Sequence, residues 1–332
     1  MPRPPHFWTE NGGRLGNLLF PLLLYPASMI ATRLAARRAA GAGLRAEVPV
    51  ICCGNATVGG TGKTTMVLDL AGLLSRAGIA VHILARGYGG RVSGPIRVAD
   101  GHGAVEVGDE ALVLATAAPT WIGADRAASA SAAVAAGAEV LLMDDGLQNP
   151  TLEKSFSFII IDGEVGFGNG RVLPAGPLRE PIAAAAGRAD AAVLIGTDRR
   201  NARARLPARL PVLTARLVPG PEAALLQGRR VLGFAGIARP SKFFASLEEA
   251  GAVLVARHAF PDHHLFGERE LAKVLAEAER LGALAVTTAK DAARLTARDR
   301  GRVSVLTVSL AWDDPGALCA LLAPLIPNMN AR

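Results

Sequence analysis

The stretch that constrains the fold most is residues 49–65, PVICCGNATVGGTGKTT, where an apolar run stops at a glycine-rich turn and the turn stops at Lys63, Thr64 and Thr65. This order predicts a strand, a phosphate loop and a helix. Gly59, Gly60 and Gly62 let backbone N–H groups curl around phosphate oxygens, and the helix that follows adds its positive N-terminus. The expected nucleotide cradle is Thr57, Val58, Gly59, Gly60, Thr61, Gly62, Lys63, Thr64 and Thr65, with Lys63 reaching the β- and γ-phosphates of ATP and the Thr64 hydroxyl ligating Mg2+. The match to GxxxxGK[ST] is incomplete, because Thr57 stands where the first glycine belongs. The flanks supply what the motif lacks: PVICCG reads as the incoming strand, and Val67, Leu70, Leu73 and Leu74 recur on one helical face ended by Gly78.

Beyond the loop, apolar runs at 49–53, 80–84, 139–144, 157–162, 191–195 and 211–217 alternate with helical patterns. This alternation predicts an α/β domain over 46–220, a mostly parallel sheet with helices on both faces. A second βα series from 221 to 332 predicts a smaller C-terminal α/β domain, and the pattern RVSVLTVSL reads as its last strand. The N-terminal unit, 1–45, contains LGNLLFPLLLYPASMIATRLA at 15–35, with Arg33, Arg37, Arg38 and Arg45 at its end or just beyond. Pro21 and Pro26 interrupt a run already short for a span of about 20 residues, so a helix lying in the membrane interface is expected.

Composition adds less. The 332 residues carry a net charge of +7, yet only five of the 36 basic residues are lysines and the arginines are scattered through alanine-rich sequence. The charge reads as general bias with one concentration near the N-terminus, and nucleic acid is not expected as a partner. Cys52, Cys53 and Cys319 form no CxxC pair and read as reduced thiols.

Several acids and bases fall where α/β ligands bind. ARGYGG, 85–90, is a glycine-rich connection at a strand's carboxyl end. Asp109 and Glu110 open a helix, an ordinary use of acids in a first turn. Asp144 and Asp145 end an apolar strand downstream of the phosphate loop, the position of an acid that holds Mg2+. Arg171 and Arg179 lie in the loop GNGRVLPAGPLREP at 168–181, and His263 and His264 lie in PDHH just past a strand.

TVGGTGKT, RGYGG, GDE, DDGLQ, GRVLPAGPLRE, GFAGIARPSKFF, FPDHH and TAKD occur in the order seen in the tetraacyldisaccharide 4'-kinases, and the chain resembles that family over nearly its whole length. The family's relaxed loop, with Ser or Thr first, accounts for Thr57. What the resemblance implies is transfer of the γ-phosphoryl of ATP, with Mg2+, to the 4'-hydroxyl of a tetraacylated glucosamine disaccharide 1-phosphate. The implied place is the cytoplasmic face of the inner membrane, with no obligate protein partner. It further implies that Asp109 of GDE is the catalytic base, His263 of PDHH its support, and Asp144, Asp145 and Gln148 the Mg2+ region. Arg86, Tyr88, Glu110, Arg126, Gln148 and Arg171 are candidate substrate contacts. Two alternatives share single features: partition ATPases have a GGTGKTT-like loop but an extra lysine where Val58 stands, and GTP-dependent metal insertases read guanine through NKxD, for which TAKD at 288–291 is a weak match.

Overall fold

The computed structural model describes residues 5–8, 14–39, 41 and 43–326. Strands fall at β1 (Val50–Gly54), β2 (Val81–Ala85), β3 (Ile96–Arg97), β4 (Thr120–Ile122), β5 (Val140–Asp144), β6 (Phe156–Asp162) and β7 (Ala191–Ile195). They continue with β8 (Val212–Pro219), β9 (Arg230–Ala235), β10 (Val253–Ala259), β11 (Leu284–Thr288), β12 (Ser304–Leu306) and β13 (Val308–Trp312). The large sheet runs β13-β8-β7-β6-β1-β5-β2-β4-β3 and the small one β10-β9-β11-β12. The large sheet is parallel except where β3 meets β4 and β13 meets β8 at its two edges. The small sheet is parallel throughout.

The apolar run that ends at the phosphate loop becomes the central strand because both its faces are covered. Ile51 and Cys53 pack into one core and Val50 and Cys52 into the other, so alternate residues of β1 serve helices on opposite faces. Burial pushes the Cys52 thiol up to about 12, which makes it an inert packing group. β1 sits between β5 and β6, with Cys53 beside Asp144 and Gly54 beside Ile159. The loop after β1 therefore opens at the carboxyl edge where strand order reverses, the place open α/β sheets bind ligands.

The chain beyond 221 divides between the two sheets. RVSVLTVSL splits at Thr307, so that β12 pairs with β11 in the small sheet and β13 crosses to pair antiparallel with β8. Leu310, Leu318, Leu322 and Ile326 then join the large core, and β13 covers an edge that β8 would otherwise leave unpaired. The small lobe is thus β9–β12 and their helices, and the polypeptide passes between lobes twice.

The N-terminal helix, Arg14–Ala39, runs through Pro21 and Pro26, where an interruption was expected. No helix among the described residues is long and apolar enough to cross a membrane. Ser28 fastens this helix to the 168–181 loop: its Oγ donates to the Val172 carbonyl at 2.9 Å and accepts from the Ala175 amide at 3.2 Å. Trp8 Nε1 donates to the Pro174 carbonyl at 3.1 Å, and Asn169 Nδ2 to the Phe7 carbonyl at 2.9 Å.

Candidate active site

The phosphate loop is shaped by backbone. Gly59 and Gly62 have φ of 108° and 95°, the left-handed region that residues with a Cβ avoid, and a Cβ on Gly62 would lie 2.7 Å from Ile195 Cδ1. Gly62 caps the helix Lys63–Arg76 without any side-chain hydrogen bond, and that helix has no acid in its first turn. Its leading amides thus receive no capping side chain from Gly62 and are suited to an anion. Thr57 is buried where the consensus has glycine: it bridges Leu178 across the loop, and Asn55 Nδ2 lies 3.5 Å from its Oγ1 and 3.0 Å from Thr61 Oγ1. The 168–181 loop closes the outside, with the Val58 amide donating to the Pro177 carbonyl at 2.9 Å.

The two acids after β5 have different surroundings. Asp145, at φ 52°, accepts two hydrogen bonds from Arg179 at 2.8 and 2.9 Å and has Lys63 Nζ 3.8 Å away. Burial pushes its carboxyl up, but Lys63 and Arg179 outweigh burial and hold it below the usual range. Both its oxygens are engaged by protein, an unfavourable start for an Mg2+ ligand. Asp144 is 4% exposed, and its Oδ1 has no hydrogen-bond partner among the described residues. Burial and the nearby charge of Glu110 push it up to about 7. A buried, unsatisfied carboxylate oxygen beside a second acid fits a divalent cation, whose charge would offset both penalties. No group of three His, Cys, Asp or Glu among the described residues forms a closed metal cage. Asp144 is thus the donor whose surroundings fit Mg2+, and Thr64, at the start of the phosphate-loop helix, is the hydroxyl that the motif would add.

The other wall is built from four separated segments. Asp109 is 4% exposed, and its Oδ1 accepts the Glu110 amide at 2.9 Å. His263 Nδ1 lies 3.1 Å from Asp109 Oδ2, and Arg294 donates to that same oxygen from Nε at 2.8 Å and from Nη2. Burial pushes the Asp109 carboxyl up, but the bond with His263 and the Arg294 guanidinium more than offset it and hold it well below the usual carboxylate range. The bond with Asp109 raises His263 in turn, with burial opposing, the charges of Asp109 and Asp262 adding and Arg294 subtracting. The Tyr88 ring lies 5.9 Å from the His263 ring, centroid to centroid.

The motifs of the small lobe converge behind this pair. Gly236, at the end of β9, accepts the His263 amide at 3.0 Å and Arg294 Nη1 at 2.8 Å on its carbonyl, and its amide donates to Asp291 at 3.0 Å. A Cβ there would meet His264, Asp291 and the Pro261 carbonyl at 3.0–3.1 Å, so Gly236 lets these groups approach closely. His263 takes φ 59° to reach Asp109, whereas His264 turns away to Glu270 at 2.5 Å and stacks on Phe260. In TAKD, Lys290 pairs with Glu110 at 2.5 Å, and fully buried Asp291 accepts from Arg294 at 2.8 Å and from Thr288 at 2.7 Å.

Of the remaining expected residues, Tyr88 and Glu110 lie at this wall. Arg126 is buried beside Asp144, lowered to about 10 by burial with Asp144 opposing, and its Nε has no hydrogen-bond partner among the described residues. Arg86 is exposed near it, and Arg171 is exposed on the 168–181 loop. Gln148 faces inward, donating to the Asn55 carbonyl at 2.8 Å and Glu180 at 2.9 Å, and so braces the phosphate loop from behind. Sequence reasoning missed Arg294, Lys290 and Asp291, although TAKD was visible and Arg294 stands three residues after its aspartate.

A parallel sheet with a phosphate loop after its central strand, an acid after the neighbouring strand and a carboxylate–imidazole pair across the cleft belongs to the phosphate-loop phosphotransferase class. The chain matches the family model for tetraacyldisaccharide-1-P 4'-kinase over residues 17–326, and it belongs to that family. It is 54% identical over 331 residues to the tetraacyldisaccharide 4'-kinase of Rhodospirillum centenum, covering 99% of this chain and 98% of that one. It is 53% identical over 315 residues to the enzyme of the same name from Gluconacetobacter diazotrophicus, covering 94% and 95%. Among solved structures it superimposes on LpxK of Aquifex aeolicus, an "apo" form in complex with ATP, with a TM-score of 0.74 and 26% identity over 92% of this chain and 99% of that one. These matches set aside the partition-ATPase and metal-insertase readings.

Proposed function

We propose that the chain transfers the γ-phosphoryl of ATP to the 4'-hydroxyl of a tetraacylated disaccharide 1-phosphate, the 4'-kinase step of lipid A biosynthesis. The observation that carries this reading is the meeting of Asp109, His263 and Arg294 opposite the phosphate loop, in a chain that belongs to the 4'-kinase family over residues 17–326. Lys63 and the leading amides of its helix hold the β- and γ-phosphates and neutralise charge that moves toward the leaving oxygen. Thr64 and Asp144 would hold Mg2+, which would add charge neutralisation to that of Lys63.

Proton removal falls to the Asp109–His263 pair acting as a unit. Asp109 Oδ2 is shared by Arg294 and His263, so its carboxylate is firmly ionised and orients the imidazole. His263, about one-third exposed, is the member open to the cleft. In phosphoryl transfer the hydroxyl proton leaves late, so a base of moderate strength suffices. Transfer of labelled γ-phosphate from ATP and Mg2+ to tetraacyldisaccharide 1-phosphate in detergent micelles tests the reading. Label in the lipid at the 4' position supports it; intact ATP binding without transfer sinks it.

The acyl chains place the substrate in a bilayer, and the N-terminal helix offers a surface for it at the cytoplasmic face of the inner membrane. Opposite the side that Ser28 ties down, exposed Leu23, Ile30 and Leu34 line one face with Arg33 and Arg37 beside them. Apolar residues dip into the interface and arginines meet anionic headgroups. A Leu23→Glu, Ile30→Glu, Leu34→Glu variant leaves Ser28 in place, and is expected to float free of anionic vesicles while still binding ATP. Undiminished vesicle binding would put the anchor elsewhere.

A further inference from the structure

The two lobes meet at a second point, on the far side of the phosphate loop from Asp109. Asp162 ends β6 and is buried, yet two cations from the small lobe converge on its carboxylate: Arg239, and Lys242 with Nζ at 2.6 Å. Arg239 Nη2 also donates to the carbonyl of Gly60, inside the phosphate loop, at 2.9 Å. The Glu164 amide donates to the other Asp162 oxygen at 3.0 Å, and the exposed Glu164 carboxylate stands 3.6 Å from Lys242 and 3.9 Å from Arg239. A surface ion pair contributes little, but this one is centred on a carboxylate removed from water, which is costly to leave without its cations.

Arg239 is three residues beyond Gly236, the glycine whose carbonyl holds both the His263 amide and Arg294. One short segment of the small lobe is therefore fastened at one end to the phosphate loop and at the other to the turn that carries His263. Asp109 and His263 belong to different lobes, so their pairing requires the lobes to be held together. We propose that Arg239, with Lys242, is a positioning residue: by gripping Asp162 and Gly60 it latches the small lobe over the phosphate loop and keeps His263 against Asp109. The cradle and the proton-accepting pair are then set as one assembly, and a disturbance at the loop is felt at His263.

The inference rests on the Asp109–His263 pairing, and the experiment separates the two. In the full-length protein the imidazole of His263 is titrated by NMR, without substrate, in the wild type, Arg239→Gln, Asp162→Asn and the double variant, alongside kcat and ATP affinity. Asp162→Asn keeps the acceptor for the Glu164 amide, so it provides a variant that preserves the local turn if Arg239→Gln folds poorly. Each single variant is expected to lower the His263 midpoint by about half a pH unit or more and kcat by about tenfold, with ATP affinity within about threefold. The double variant is expected to lose clearly less than the product of the two single losses, because both remove the Arg239–Asp162 pair, and Arg239→Lys to recover most of the midpoint. A wild-type midpoint that is raised but unmoved in the variants, or losses that multiply in the double variant, overturns the latch. A wild-type midpoint that is not raised faults the Asp109–His263 pairing itself.

Discussion

The two walls of the cleft are made on different principles. The phosphate loop comes from one continuous stretch, its shape is carried by glycine dihedrals, and its ligand groups are mostly backbone amides. The opposite wall joins Asp109 to His263 and Arg294, 154 and 185 residues away, and its shape is carried by buried charges. A wall of backbone tolerates side-chain change except where a side chain itself meets the ligand. A wall of charges does not, because each removal strands a partner in a medium that cannot solvate it.

Substitutions at the two walls should therefore fail differently. Lys63→Ala is expected to cut kcat by about 10³ or more while thermal unfolding stays within a few degrees of wild type, read by the micelle transfer assay and calorimetry. A large loss of stability there would erase the distinction. Arg294→Met should instead show as a stability loss: its side chain is 2% exposed, and its removal takes from buried Asp109 and Asp291 the cation they share, so urea denaturation should show a loss of about 3 kcal/mol. Wild-type stability in that variant would mean that the buried carboxylates find other partners. Asp109→Ala sits between these limits, with kcat down about 10² and a smaller stability loss, since Arg294 retains Asp291 and Gly236.

The smallest effect is one of pH. Because Asp109 raises His263 above its ordinary value of about 6.5, the pair carries a proton below that raised midpoint and cannot accept another. The transfer rate should fall as pH falls through it, and the acid limb of the Asp109→Asn profile should move to lower pH. The linked stability has the opposite sense: the His263–Asp109 contribution is complete below about pH 6.5 and fades as pH rises through the raised value. An acid limb that stays put in Asp109→Asn would leave His263 without a role in it.

What could be read from the sequence divides along the same line. The phosphate loop, the strands that flank it and the acid after β5 are local patterns, and residue types at close spacing are enough to find them. The helix through Pro21 and Pro26 was not readable, since proline costs a helix one bond without fixing where the chain goes next. Nor was the return of β13 to the large sheet, because RVSVLTVSL has one strand's pattern and only the pairing partners change at Thr307. Asp145 and Gln148 look like their neighbours in DDGLQ, and the sequence does not show that Arg179 occupies both Asp145 oxygens or that Gln148 reaches Asn55 and Glu180. Arg294 belongs to no motif, although Asp291 and Arg294 at i, i+3 are a spacing that brings charges together on one helical turn.

The 168–181 loop touches the N-terminal helix through Val172 and Ala175 and the phosphate loop through Pro177 and Arg179, whose amide donates to the Ala56 carbonyl at 2.7 Å. It works as a gauge block. Were the helix to rest on a bilayer as proposed, the altitude of the phosphates above that plane would be set by some eight residues of proline- and glycine-rich chain. The sugar hydroxyl would then have to rise to a fixed height to be phosphorylated, and differences in acyl length would be taken up below the plane, by how deeply the lipid stays immersed.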